Sequence, residues 1–314
     1  MLKQIVIVEG LSHSGKTTVI NEIKKKLDHK VLVLNTPNKN DLEEIEEYFI
    51  AKVDTLDPEV DKAKINRMGY LMDELKNAKS RIGLYFNNLR KYTEKNKFPK
   101  QTTVFDYLEI NKHGTDIAYT ALFVEVKSII GAKAIQLRAL VDMVNLFDQE
   151  VTIIVDRFIG STLVYSPVDI IHMANNPKDY QLNLIEDTIE RDILLGSVTS
   201  VNSVHNFLKY VALTQAPVIP IFIECPVEER ARRAKAVNPN DESDKAFDEM
   251  SLEFDKIMSR KYRDYLVFFA EDCASFNPDV YNFFVLPSTD VERLSKDILS
   301  ILENKEYYKD IEEV

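Results

Sequence analysis

Short apolar runs rich in β-branched residues recur at Gln4–Glu9, Lys30–Asn35, Val151–Asp156, Val218–Cys225 and Tyr281–Leu286. Each is continuous rather than alternating and stops at a polar or turn residue, which is how strands buried on both faces of a parallel sheet read. Between them apolar positions return at helical spacing. Val19–Leu27 follows the first run, Ala134–Phe147 precedes the third, Val227–Val237 follows the fourth and Asp290–Asn304 follows the fifth. Strands alternating with helices predict an α/β fold: a doubly wound, five-stranded parallel sheet joined by right-handed crossovers.

Two connections are longer than such a sheet needs. Residues 39–133 carry helical patterns at Asp41–Lys52 and Asp61–Glu94 and a polar linker at Lys95–Thr103, and 179–214 reads as two more helices. Connections of this length normally hold structure of their own. The expected organisation is a single domain over 1–314 with two helical insertions, the alternative being a separately folded helical subdomain. The acidic tail Glu306–Val314 is expected to be solvated.

Composition narrows the partners. The 40 Lys and Arg against 51 Asp and Glu leave a formal net charge of −11 on 314 residues, which counts against nucleic acid or an anionic membrane as the main partner. Two cysteines, Cys225 and Cys273, offer no disulfide framework and point to a reducing interior. No stretch approaches the roughly 20 apolar residues of a membrane span, and the opening apolar run is too short for a signal peptide. The expected location is the cytoplasm.

The first run is followed at once by Gly10-Leu11-Ser12-His13-Ser14-Gly15-Lys16-Thr17, which fits G-x-x-x-x-G-K-[ST] and leads into a helical pattern from Thr18. Glycines let such a loop fold around an anion with successive N–H groups pointing inward, and the helix N-terminus adds partial positive charge. Lys16 then reaches the β- and γ-phosphates while the Thr17 hydroxyl ligates Mg²⁺. With only 8 glycines in the chain and two at the required places, the motif reads as a purine nucleoside triphosphate site. The third run ends in Asp156-Arg157-Phe158, at the strand end where open α/β sheets bind ligands. Asp156 suits a metal or its bound water, and Arg157 suits bidentate contact with a phosphate.

At these residues the sequence resembles the thymidylate kinase family and its deoxynucleoside kinase relatives. VIVEGLSHSGKTT is similar to the family's first strand, glutamate-glycine pair and P-loop. VTIIVDRFIGSTLVY is similar to its aspartate-arginine-tyrosine motif, with Ser161 and Tyr165 in matching places. IFIECPVEERARRAK resembles its fourth strand, proline turn and arginine-bearing helix, and VLPSTDVERLSKDILSILE its last strand, adenine-side loop and terminal helix. These blocks run in order to about Asn304 and cover roughly half of the chain. The resemblance implies a P-loop kinase fold with a lid at about 233–255, and ATP and Mg²⁺ as cofactors. ATP would be held by Gly10, Ser12, His13, Ser14, Gly15, Lys16, Thr17 and Thr18, with Arg233 and Ser288 on either side of adenine and Thr289 beside Ser288. Thr17 and Asp156 would take the metal, and Lys16, Asp156 and Arg157 the catalytic positions. Arg138, Phe158, Tyr165, Asn35 and Ser12 would line the acceptor site.

The chain departs from the family where the acceptor is read. Many relatives carry an acid at Ser12. An arginine is missing from Asn35-Thr36-Pro37, Ser166 replaces a glutamine, and no arginine stands in the P-loop, where His13 is found, or in Asn238–Phe247. A phosphoryl transition state needs cationic help, for which Arg230, Lys235, Lys245 and Arg260 are candidates. Nucleoside kinases profit from a general base after the second strand. The absence of a carboxylate at Thr36, with Arg138 and Arg157 present, favours a nucleoside monophosphate as acceptor, dTMP or a modified pyrimidine analogue. The alternatives are a kinase of a hydroxylated nucleoside or of a hydroxymethylated base in DNA, for which the basic run Arg90–Lys100 is the only candidate groove, and a non-catalytic nucleotide-binding scaffold. Relatives in the family it resembles are usually dimers, so a homodimer is one expectation, and the helical insertions read equally as a dimer contact, a substrate cover or an intramolecular buttress.

Overall fold

The computed structural model describes residues 1–35, 41–95, 117–165, 188–236, 252–277, 280–288 and 290–303. In chain order the elements are β1 (Leu2–Glu9), α1 (Lys16–Lys26), β2 (Lys30–Asn35), α2 (Asp41–Val53), α3 (Lys62–Lys95), α4 (Ile117–Asn145), β3 (Val151–Asp156), α5 (Ile159–Tyr165), α6 (Thr188–Thr214), β4 (Val218–Glu224), α7 (Val227–Ala236), α8 (Leu252–Ala274), β5 (Phe284–Pro287) and α9 (Val291–Glu303). All five expected strands form one parallel sheet in the order β2-β3-β1-β4-β5. The expected α/β class is therefore observed. β5 begins later than its apolar run because Tyr281 makes only an isolated bridge to Val218.

The chain divides into two compact units. One contains Leu2–Val33, Glu150–Ser161 and Lys209–Val314; the other contains Met1, Leu34–Gln149 and Thr162–Leu208. The first holds most of the sheet and is the α/β unit. Period-2 alternation along β1 sends Val6 and Val8 to one face, where they join Val19, Ile20 and Ile23 of α1 and Leu294, Ile298 and Ile301 of α9 in a buried cluster. On β4 the same alternation sends Phe222 to the opposite face, among the rings of Tyr262, Tyr265 and Phe269 of α8 and Phe283, with centroids 5.9–6.4 Å away. Glu9, three residues beyond Val6, has the parity of this second face.

The second unit is helical. α3 and α4 run antiparallel, with Arg67 bonded to Asp142 at 3.5 Å and Asn88 to Glu125 at 3.0 Å. Buried Met68, Leu71, Leu75, Ala78 and Ile82 make the apolar stripe of α3, at spacings of three and four. α4 is buried on most of its circumference from Val126 to Val144. It begins well before the expected start at Ala134, so the end of the first insertion and the helix entering β3 are one element. α2 adds Phe49, whose ring lies 6.1 Å from that of Phe147.

α8 is a helix that strand-and-crossover reasoning passed over, although Met258, Tyr262, Tyr265, Phe269 and Cys273 recur at helical spacing and are all buried. Most of the expected lid, the linker 96–103, the candidate Lys245, Thr36, Pro37, Ser166, Thr289 and the acidic tail lie outside the described residues. No described helix is long and apolar enough to cross a membrane.

Candidate active site

Parallel pairing places the site. Val8 stands opposite Asp156 on β3, and Glu9 opposite Phe222 on β4, so the loop leaving β1 starts between two neighbouring strand ends. Gly10 has φ 147, and a Cβ there would lie 2.6 Å from the Ile223 carbonyl oxygen, so only glycine lets the chain leave the sheet at this point. Gly15, with φ 94, is the N-cap of α1 and offers no side-chain cap. His13 at φ 62 and Arg157 at φ 63 are the two non-glycine residues with positive φ among those described, and both lie at this site. Such conformations cost free energy that the surrounding structure must supply. For Arg157 that support includes its own N–H, which donates to the Val8 carbonyl at 3.1 Å.

The loop curls around the Lys16 ammonium. Nζ donates to the Leu11 carbonyl at 2.6 Å and to Ser14 Oγ at 3.1 Å, and the side chain is buried. Burial first, and then the adjacent Arg157 charge, bring the Lys16 pKa down to about 7, against partial relief from Asp156 and Glu9. Burial also pushes the Asp156 carboxyl above the usual carboxylate range, opposed by Lys16 and Arg157. Thr17 Oγ1 donates to Asp156 Oδ2 at 3.3 Å, and Arg157 Nη2 to Ser12 Oγ at 3.4 Å.

Thr17 and Asp156 fit a hard cation. They present two oxygens side by side, and among the described residues no group of three or more His, Cys, Asp or Glu could hold a metal alone. Mg²⁺ commonly takes one or two protein oxygens and completes its shell with water and phosphate.

Arg233 and Ser288, distant in sequence, meet beside the same loop. Arg233 Nη1 donates to Ser288 Oγ at 2.8 Å, and Ser288 Oγ donates to the Ser14 carbonyl at 2.8 Å. Glu229 anchors Arg233 through Nε at 2.7 Å. The Glu229 carboxyl is held at about 2, first by its bonds to Arg232 and then by that to Arg233. Thr18 is exposed at the start of α1, and Phe158 is buried.

The other acceptor-side candidates belong to the helical unit. Arg138 is exposed on α4, close enough to Tyr70 of α3 for its charge to oppose the rise that the Glu74 hydrogen bond gives the Tyr70 pKa. Tyr165 is partly exposed at the end of α5, and Asn35 ends β2. Of the candidate cations, Arg230 is fully buried, with Nε donating to the Cys225 carbonyl at 3.1 Å, and its charge is among those that depress Lys16. Arg260 lines a cavity of about 760 Å³ together with Gly10, Leu11 and Tyr262.

Sequence reasoning missed one set of residues. Glu9 is buried, and its carboxylate accepts from Ser161 N–H at 3.1 and 3.2 Å, from Ser161 Oγ at 2.5 Å and from Tyr262 OH at 2.9 Å; Tyr262 OH in turn accepts from Gly10 N–H at 2.7 Å. The available signals were the glutamate before Gly10 and the helical spacing of α8.

No protein-family model and no curated protein sequence matches the chain. Among solved structures it is similar to the thymidylate kinase of Candida albicans, at 11% identity over 98% of this chain and 94% of that one, with a TM-score of 0.44. It is also similar to deoxyadenosine kinase from M. mycoides with bound dATP, at 17% identity over 96% of this chain and 99% of that one, with a TM-score of 0.41. At these values the likenesses bear on neither activity nor substrate.

Proposed function

We propose that the chain transfers the γ-phosphoryl group of ATP to the 5′-phosphate of a deoxynucleoside monophosphate, dTMP or a modified pyrimidine analogue, giving the diphosphate and ADP. The observation that carries this reading is the convergence of Lys16, Thr17, Asp156 and Arg157 on one glycine-framed loop at the carboxyl end of a parallel sheet. Lys16 and the loop amides would hold the β- and γ-phosphates. Thr17 and Asp156 would hold Mg²⁺, which would supply neutralisation of the charge on the phosphates. Arg157, aimed at Ser12 across the mouth of the loop, would bind phosphate where donor and acceptor meet. Arg233 and Ser288 would flank the adenine once the 2.8 Å hydrogen bond between them opens to admit the base.

Phosphoryl transfer asks the protein mainly for position and charge. A monophosphate acceptor is itself anionic, so it needs cations to clamp it rather than a base to deprotonate it. Arg157 is suited to that task, and the sequence resemblance offers Arg138 as a second cation. A coupled assay with ATP and a panel of nucleoside monophosphates tests the reading. The expected result is acceleration of ADP release by a pyrimidine deoxynucleoside monophosphate; no response to any monophosphate, with a response to a nucleoside or a DNA end, would overturn it.

A further inference from the structure

Four polar groups from three distant parts of the chain are buried together behind the phosphate loop. Glu9 ends β1, Ser161 lies in α5 just after Asp156-Arg157, and Tyr262 lies in the middle of α8, the helix that follows 233–251. The Glu9 carboxylate takes hydrogen bonds from both Ser161 donors and from Tyr262, while Tyr262 uses its oxygen to accept the Gly10 N–H. The fit is close, for a Cβ on Gly160 would lie 2.6 Å from Tyr265 Cε1 and 2.9 Å from Glu9 Oε1. Gly10 is also where the chain turns out of the sheet into the phosphate loop.

A buried carboxylate is stable only when its oxygens are satisfied, and a buried N–H carries a comparable requirement. The network meets both demands with one hydroxyl. Moving either α8 or the Ser161 turn away would leave a polar group of Glu9 or Gly10 without the partner it has here. We propose that Glu9, Ser161 and Tyr262 form a positioning device that sets the exit angle of the phosphate loop, with Tyr262 as the positioning residue that connects the loop to α8. None of the three touches nucleotide in this scheme. They act through Gly10 on the loop amides and on Lys16, so their effect falls on the phosphates of a bound nucleotide and not on its base. The inference rests on nucleotide binding at Gly10–Thr17 and is independent of the acceptor.

The test compares ATP with adenosine on the full-length protein, by calorimetric titration for ATP and ligand-observed NMR for adenosine. Tyr262→Phe is expected to weaken ATP roughly tenfold, the loss of one hydrogen bond to a charged group, with adenosine binding unchanged. Ser161→Ala is expected to act in the same direction. The double variant should lose no more than the larger single loss, because Ser161 reaches Gly10 through Glu9 and the Tyr262 hydroxyl. Equal losses for ATP and adenosine, additive losses, or an ATP affinity unaltered by Tyr262→Phe and Ser161→Ala would each overturn the proposal. Should one variant fail to fold, the other still decides between loss confined to ATP and loss shared with adenosine. A wild-type protein that binds no ATP overturns the reading of the loop and this inference with it, whereas normal wild-type binding with unaffected variants overturns this inference alone.

Discussion

The α/β unit and the helical unit bury different kinds of side chain. At the carboxyl ends of its strands the first gathers Glu9, Ser14, Lys16, Asp156, Ser161 and Arg230, all buried and several carrying charge. Among the described residues, the α3–α4 pair of the second is closed by leucine, isoleucine, valine, alanine and methionine, with Lys133 and Gln136 as the buried polar residues on those helices. Burying charge is costly unless partners and hydrogen bonds compensate it. Within that cluster, burial and the adjacent Arg157 charge bring Lys16 down to about 7. An apolar helix pair with exposed charges has the opposite economy: its stability comes from burial.

The largest effect that would sharpen this contrast is expected at Lys16. Lys16→Met should weaken ATP about a thousandfold, the equivalent of two lost charge-assisted hydrogen bonds, in a nucleotide titration. Its melting temperature should not fall, since a buried ammonium is replaced by an apolar side chain of similar length. A large drop in melting temperature would mean that the lysine is structural and would break the contrast. Next in size, Leu140→Ala in the buried part of α4 should cost about 3 kcal/mol of stability through the cavity it leaves, measured by chemical denaturation, with ATP affinity unchanged. A matching loss of ATP affinity would show that the helical unit supports the phosphate site after all.

Arg138→Ala is expected to raise the KM for the monophosphate acceptor roughly tenfold, as the loss of one ionic hydrogen bond does, and to leave the KM for ATP as it was. Steady-state kinetics on both substrates would check it. If neither constant moves, the helical unit contributes no charge to the reaction. The smallest effect concerns Cys273 in α8. Burial first, and then the nearby Asp272 charge, raise its thiol from 9.0 to about 12. The folded chain therefore keeps this proton where the unfolded chain releases it. Its contribution to stability is fully present below pH 9 and is lost as pH rises from 9 toward 12. At pH 8 the folded protein should leave Cys273 unmodified by a thiol reagent, with labelling appearing only in denaturant.

Much of the phosphate side was legible because its signals are local. A strand, a glycine loop and a helix follow one another within Leu2–Lys26, and the pattern of each can be read from its own residues. The aspartate-arginine pair was legible for a similar reason, since it directly ends a strand. Arg138 and Tyr165 were legible only as residues on helices, and periodicity alone gives no information about which side chain from another element approaches them. The missed network shows the same limit more sharply. Glu9, Ser161 and Tyr262 are separated by 152 and 101 positions, and a lone serine or tyrosine carries no motif.

The sequence by itself determined the five strands, the parallel class of the sheet and the glycine loop that leads through Lys16 and Thr17 into α1, because hydrophobic period and glycine placement act over a few residues. Only the tertiary structure decided the strand order, the meeting of Arg233 with Ser288, the continuity of α4 and the shared hydrogen bonds of Glu9. Those depend on which strand ends are neighbours and on which faces are buried together. A buried charge finds its partners in space, so the chain sets the demand and the fold selects the residues that meet it.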